Sequence, residues 1–394
     1  MRHFDRLSAN GLSARHFDRL SANGFFARWH FDKLSANGAC MLTRLLSHDL
    51  PKSRALAVLL IVLVLGLALT PFVFPGTKAL NVAAKILVFI VLVASYDLLL
   101  GYTGIVSFAH TMFFGIGAYG VAIACTRLGA SASAVVIGIV ASLAVSLVLS
   151  LVIGLFSLRV KAIFFAMITL AVASAFLTLA SQLSEITGGE DGLSFRLPEM
   201  LQPSFSYRDE PFLGATIDGR FASYYLLVIA TVALVLAMLR IVNSPFGRVL
   251  QAIRENDFRA EAIGYRTVVY RTLANVLGAL FATLAGSLLA IWLRYNGPDT
   301  SLAFEIMLDI LLIVVIGGMG TIYGAVVGSV LFVLAQSYLQ DLMKLGASAV
   351  EGVPVLAQLI SPERWLLWLG VLFVLSVYHF PSGIVGRLRA MRRP

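Results

Sequence analysis

The chain has 394 residues, of which 59% are hydrophobic and only 13% charged, with a mean hydropathy of +0.89. A soluble domain carries about 25% charged residues, so this composition excludes one and implies a polytopic membrane protein in which a single bundle uses most of the chain. The net charge of +9 raises nucleic acid as a partner, but in so apolar a chain basic residues mark cytoplasmic loops, and the two cysteines, Cys40 and Cys125, offer neither metal spacing nor a natural disulfide.

The N-terminus is repetitive. HFDRLSANG begins at His3 and again at His16, and HFDKLSANG begins at His30. The spacings of 13 and 14 residues are too short for solenoid repeats, which run to about 20 or more. Each unit has few core-forming residues and ends in Asn-Gly, a turn signal. Residues 1–40 therefore read as an extension outside the fold, a short DNA element translated in frame ahead of a start at Met41. Nothing places the three histidines on one face, so no metal site is read there.

A membrane helix needs about 20 mostly apolar residues. Runs meeting or approaching that length are 55–74, 79–100, 104–126, 133–157, 162–180, 223–242, 270–293, 305–323, 325–343 and 365–380. The first follows Lys52 and Arg54 but is too long for a signal peptide and lacks its cleavage site, so it reads as a retained span. The predicted fold class is all-α: a polytopic membrane helix bundle of about ten transmembrane segments with broken, glycine-rich helices. With the N-terminus inside, Arg159, Lys161, Arg248, Arg254, Arg259, Arg266, Arg271, Arg387, Arg389, Arg392 and Arg393 all fall inside. Loop 181–222, with Glu185, Glu190, Asp191, Glu199, Asp209, Glu210 and Asp218, falls outside. The positive-inside pattern puts both termini in the cytoplasm and removes the case for nucleic acid.

Within the runs, GYTGIVSFAHTMFFGIGAYG at 101–120 combines apolar character with five glycines, a histidine and hydroxyls. Irregular backbone at membrane depth survives only inside protein or beside a watery cavity. Two readings stand: a packed, broken helix with a polar cluster, or a pore-lining element in which Gly101, Gly104, Ser107, His110, Thr111, Gly115 and Gly117 belong to a translocation path. The intramembrane ionisable residues Lys85, Asp97, Glu305 and Asp309 are costly and therefore functional candidates. Asp97 is placed to pair with a basic loop residue, whereas Glu305 and Asp309 lie near an outer end where water solvates them. Ala274, Gly278, Ala282 and Gly286 recur every four residues, as do Gly320, Gly324 and Gly328, a spacing that lets helices approach closely. In the outer loop, Thr187, Gly188, Gly189, Asp191 and Gly192 form either a structural cap or an outer mouth that presents an acid and backbone amides.

Loop 243–269 is the most informative. Ser244 is a good N-cap and Pro245 suits the first helical position. Phe246, Val249, Leu250 and Ile253 make one apolar stripe, and Glu255 to Arg259 is an i, i+4 pair. Gly264 reads as a C-cap. Such a helix either lies on anionic lipid or docks into a groove of a soluble partner.

GRVLQAIRENDFRAEAIGY resembles the cytoplasmic coupling loop of ABC importer permeases, with Glu261, Ala262 and Gly264 in the place of its Glu-Ala-Ala-x-x-x-Gly core. GYTGIVSFAHTMFFGIGAYG, ITGGEDGLSF at 186–195, VVIGGMGTIYGAVVGSVLF at 314–332 and HFPSGIVGRLRA at 379–390 resemble stretches of the branched-chain amino acid permeases, the LivM type. The resemblance covers roughly 55–390 and makes 41–394 a permease domain. It implies an inner-membrane subunit of a bacterial importer, paired with a second permease subunit as a heterodimer. Two ATPase subunits would bind the coupling residues Phe246, Gly247, Arg248, Ile253, Arg254, Glu255, Glu261, Ala262 and Gly264, and a periplasmic binding protein would deliver the amino acid. It implies no cofactor, no metal and no catalytic residue on this chain, which shows no GxxxxGK[ST] loop for ATP. A urea or short-amide permease is the runner-up, and an ion-coupled secondary transporter the third reading. Deletion of residues 1–40 is expected to leave insertion and transport intact; loss of insertion, seen by membrane fractionation, would overturn that.

Overall fold

The computed structural model describes residues 54–74, 76–157, 162–207, 217–349, 361–380 and 382–390. The N-terminal repeats, Met41, Arg159, Lys161, Asp209, Glu210, Arg392 and Arg393 lie outside them. Apart from one-turn pieces, the helices in chain order are α1 (Arg54–Val73), α2 (Thr77–Thr103), α3 (His110–Leu128), α4 (Ala132–Ser157), α5 (Ala162–Gln182), α6 (Gly219–Val242), α7 (Pro245–Glu255), α8 (Asp257–Ala262), α9 (Thr267–Leu293), α10 (Phe304–Gly317), α11 (Ile322–Ala349), α12 (Trp365–His379) and α13 (Gly383–Ala390). Ten segments among the described residues are long and apolar enough to cross a membrane, as predicted for an all-α bundle. The predicted boundaries shift at the two glycine-rich places. α2 runs on to Thr103, α3 begins only at His110, and α10 stops at Gly317 before α11 resumes at Ile322.

The centre of the bundle is α9 packed against α2 and α3, with most of each helix buried, while α1, α5 and α12 lie outside with apolar side chains exposed. Lipid tails are as apolar as leucine, so these three helices are drawn together by close backbone approach and interhelical hydrogen bonds. The close approach is visible atom by atom. A Cβ on Gly117 would lie 1.9 Å from Thr283 O, and one on Gly286 1.8 Å from Phe114 O. Gly120 and Gly138 oppose each other in the same way across α3 and α4, at 2.8 and 2.6 Å from each other's carbonyls. Polar bonds pin the seams: Thr283 Oγ1 donates to Ser146 Oγ (2.6 Å), Asn275 Nδ2 to Ser150 O (3.0 Å), and Ser287 Oγ to Gly117 O (3.2 Å). The predicted small-residue stripe on α9 is this seam. Gly320, in contrast, sits outside any helix, in the link 318–321.

α1 carries Pro71 within its last turn. Proline has no N–H to return to the carbonyl four residues back, which here is Leu67 O. Tyr224 Oη on α6 donates to that carbonyl, and Tyr225 Oη donates to Ala68 O at 2.7 Å. Tyr224→Phe is expected to lower stability by about 1 kcal/mol, read as a fall in the melting temperature of the detergent-solubilised protein. An unchanged value would mean that the hydroxyl is dispensable.

Candidate functional site

Two ends of the bundle hold the predicted site residues. At one end, α6 turns into α7 through Asn243 and Ser244. The Ser244 side chain accepts from Gly247 N (3.4 Å), and Pro245 takes the first helical position. Gly247 is required by space, since a Cβ there would stand 2.0 Å from Val242 O. Asn256 then ends α7 and caps α8, accepting from Arg259 N at 2.9 Å. This new start breaks the helix between Glu255 and Arg259, so the expected i, i+4 pair does not form; Asp257 instead pairs with Arg271 on α9 at 2.9 Å. α8 closes as predicted at Gly264. Tyr265 N donates to Ala260 O and Gly264 N to Glu261 O, the paired bonds of a Schellman turn, with Gly264 at φ +97°. Thr267 Oγ1 donates to Glu261 across that turn (2.5 Å), and Phe246, Tyr270 and Tyr265 pack ring against ring. The result is a rigid elbow, α7–α8, fixed to the start of α9.

The apolar stripe of α7 faces the opposite way from a docking surface. Leu250 and Ile253 are buried, and the helix lies against α2, α6 and α9. What faces outward is the elbow itself. Phe258 is 83% exposed and Ile263 is exposed, beside Arg248, Glu255, Arg259, Glu261, Ala262 and Arg266.

The elbow meets both helix interruptions. Arg254 Nη1 donates to Gly101 O in the last turn of α2. Asp97 Oδ1, one turn earlier, accepts from Gly320 N in the link 318–321 at 2.8 Å. The expected partnership of Asp97 with a loop cation therefore takes a different form: the hydrogen bond to the carboxylate comes from a backbone amide, and the cation binds the neighbouring carbonyl. Residues 104–109 between α2 and α3 are non-helical, with Phe108 N donating to Thr169 Oγ1 (3.0 Å) and Ala109 N to Ser107 Oγ (3.4 Å). His110 Nε2 lies 2.8 Å from Ser95 Oγ and its ring meets Tyr96 edge-on. Ser107, His110 and Thr111 are each 2% exposed, and Gly115 and Gly117 are buried against Leu302 and Thr283. Asp309 is not simply solvated. It accepts from Gln336 Nε2 (3.3 Å), whose Oε1 accepts from Lys85 Nζ (2.8 Å), so one amide joins opposite charges across α10, α11 and α2. Glu305 is exposed.

At the other end, Thr187 Oγ1 lies 2.6 Å from Ala180 O and 2.7 Å from Leu183 O, which share its one hydroxyl hydrogen and close the chain after α5. A Cβ on Gly188 would fall 2.1 Å from Gly192 O, so the Gly188–Gly192 turn is tight. Strand β1 (Leu193–Ser194) pairs antiparallel with β2 (Tyr295–Asn296), which follows α9. Tyr295 Oη donates to Asp191 O at 3.1 Å. Gly189 is buried within this cap, and the Glu190 and Asp191 side chains are exposed. Sequence reasoning missed the β1–β2 pairing, for two-residue strands leave no periodicity to read.

Residues 78–377 match the family model described as branched-chain amino acid transport system / permease component. The chain is 26% identical over 322 residues to the high-affinity branched-chain amino acid transport system permease protein LivM of Escherichia coli K12, covering 78% of this chain and 74% of that one. It is also 26% identical over 303 residues to the LivM of Salmonella typhimurium LT2, covering 73% and 70%. No solved structure matches. With that match running through the bundle, both helix interruptions and the elbow, the chain belongs to the family of permease components of branched-chain amino acid transport systems and is a multi-pass membrane protein.

Proposed function

We propose that the chain is the passage subunit of an ABC importer for branched-chain amino acids, worked through its α7–α8 elbow by partner ATPase subunits. The single observation that carries this is the elbow: a capped, doubly anchored structure that keeps its stripe for its own bundle and turns Phe258, Ile263 and a set of arginines outward. A helix lying on lipid would instead turn its apolar stripe to the membrane.

In this reading ATP is hydrolysed on two ATPase subunits and the chain itself is no enzyme. The elbow end is cytoplasmic and the β1–β2 end periplasmic, in the inner membrane of a bacterium. The ten candidate spans among the described residues, an even number, then leave both termini in the cytoplasm. A second, related permease subunit covers part of the exposed apolar surface of α1, α5 and α12, and the rest meets lipid. The binding protein delivers its amino acid to the cap around Thr187–Gly192, where Glu190 and Asp191 face out. Burial of Ser107, His110 and Thr111 supports the packed reading of 101–120, in which this segment is a joint of the subunit.

The experiment is reconstitution in proteoliposomes of the permease pair, with and without the ATPase subunits, and with loaded binding protein outside. Leucine uptake that needs both added ATPases and internal ATP is expected. Uptake driven by a proton or sodium gradient through this chain alone would replace the reading with a secondary transporter.

A further inference from the structure

We propose that Arg254 is the positioning residue through which the elbow moves the core helices: it lies in a cradle of three glycines, Gly101 in the last turn of α2 and Gly104 and Gly320 in the two interruptions of the bundle. This rests on the reading that ATPase subunits grip the elbow.

The cradle is defined by close contacts. A Cβ on Gly320 would stand 2.9 Å from Arg254 Nη1, and one on Gly104 3.3 Å from Arg254 Cγ. Gly101 accepts the guanidinium with its carbonyl. That carbonyl is among the last of α2, which stops at Thr103, and so lacks the helical partner it would have further up. A cation at a helix C-terminus is also favoured by the helix dipole. Behind the cradle, a Cβ on Gly101 would collide with Asp97 Oδ1 at 2.0 Å and Gly320 N at 2.4 Å, the two atoms that bond each other. The connection is thus continuous: α7 to the end of α2 by Arg254, and the end of α2 to the α10–α11 link by Asp97.

The buried side chains of α7, Leu250 and Ile253, make apolar contacts, and such contacts are non-directional. The Arg254 bond has a direction and ends on backbone, so displacement of the elbow pulls on the C-terminus of α2 and, through Asp97, on residues 318–321. These are the two places near the elbow where the core is not held by helical hydrogen bonds. Arg254 is an exposed residue whose guanidinium makes one half-buried bond, to the Gly101 carbonyl, whereas the buried Leu250 and Ile253 hold α7 to the bundle.

The test uses the complete importer in proteoliposomes with loaded binding protein, comparing wild type, Arg254→Ala, Arg254→Lys and Gly320→Ala. Leucine transported per ATP hydrolysed and ATPase subunits bound per permease are measured together. In Arg254→Ala the leucine transported per ATP hydrolysed by the ATPase subunits that remain bound is expected to fall about tenfold, within the usual range of coupling between sites. Arg254→Lys, a point charge without the planar fork, recovers part of the loss, and Gly320→Ala reproduces it from the other side of the cradle. Transport per ATP at the wild-type ratio in Arg254→Ala, or a loss that merely follows lost ATPase subunits in both Arg254→Ala and Gly320→Ala, would overturn the proposal. A wild-type importer that transports without bound ATPase subunits would overturn the functional reading instead.

Discussion

Gly286→Ala is expected to prevent the α3–α9 seam from closing and to leave little stable protein. The added carbon would lie 1.8 Å from Phe114 O, where an ordinary contact needs 3.4–4 Å. The obstacle is a backbone atom, so no side-chain rotation relieves it and α9 has to move off α3. That movement stretches the Ser287–Gly117 bond in the same seam and disturbs Thr283–Ser146 beside it. Overpacking a core costs about 1–3 kcal/mol and sometimes more, against a total stability of about 5–15 kcal/mol. The control is Gly66→Ala in α1, where nothing lies within 4 Å of the new carbon; there alanine is about 0.5–1 kcal/mol better than glycine in a helix. Yield of monodisperse protein and its melting midpoint are expected to fall sharply for Gly286→Ala and to hold for Gly66→Ala. Equal behaviour of the two would mean that the seam is looser than drawn.

Gly264→Val is expected to impair transport without loss of protein. No atom lies within 4 Å of a Cβ at Gly264, so nothing clashes; the cost arises from φ +97° alone, where a β-branched residue is a conformational outlier. Left-handed backbone costs an L-residue about 1–2 kcal/mol, enough to open the Schellman turn and release Glu261 from Thr267, while the buried bundle is untouched. The elbow then presents Phe258 and Ile263 at a different angle to its partner. Leucine uptake is expected to fall about tenfold, within the usual range of coupling between sites, with membrane content unchanged. Gly264→Asn, which tolerates the left-handed region, is expected to keep most of the activity. Uptake at the wild-type rate in Gly264→Val would show that the shape of the turn does not matter, and Glu261→Ala tests the same contact from the other side.

The spans and the elbow were legible in the sequence for different reasons. Spans follow from length and apolarity, which lipid demands, and the elbow from cap chemistry at Ser244, Pro245 and Gly264, which acts locally. Burial was not legible from hydropathy. α1 is more uniformly apolar than α2, yet α2 is the buried one. In a bilayer the outside of a protein is at least as apolar as its inside, so serine, threonine, histidine and glycine mark the core instead: Ser95, His110, Thr283 and Gly286 are all there. The same ambiguity hid the direction of the α7 stripe. Periodicity shows that Phe246, Val249, Leu250 and Ile253 share a face, but only the packing against α2 and α9 shows what covers it.

Contacts between distant segments were the least legible. Asp97 with Gly320, Arg254 with Gly101 and Lys85 with Gln336 and Asp309 join positions far apart in the chain, with no spacing rule to connect them. Lys85, Asp97 and Asp309 announced themselves by their cost in the membrane; their partners did not. Lone glycines before a histidine did announce a break, and the break is at 104–109.

The most direct measurement places a photocrosslinker at Phe258, the most outward side chain of the elbow, in intact cells of the native host, with a second probe at the exposed Asp191 as a control. A covalent adduct between position 258 and an ATP-hydrolysing subunit, absent from position 191, is the expected result. Adducts at 258 with lipid alone, under conditions where the complete transporter is active, would contradict the elbow's role as the place where the energy of ATP enters this subunit.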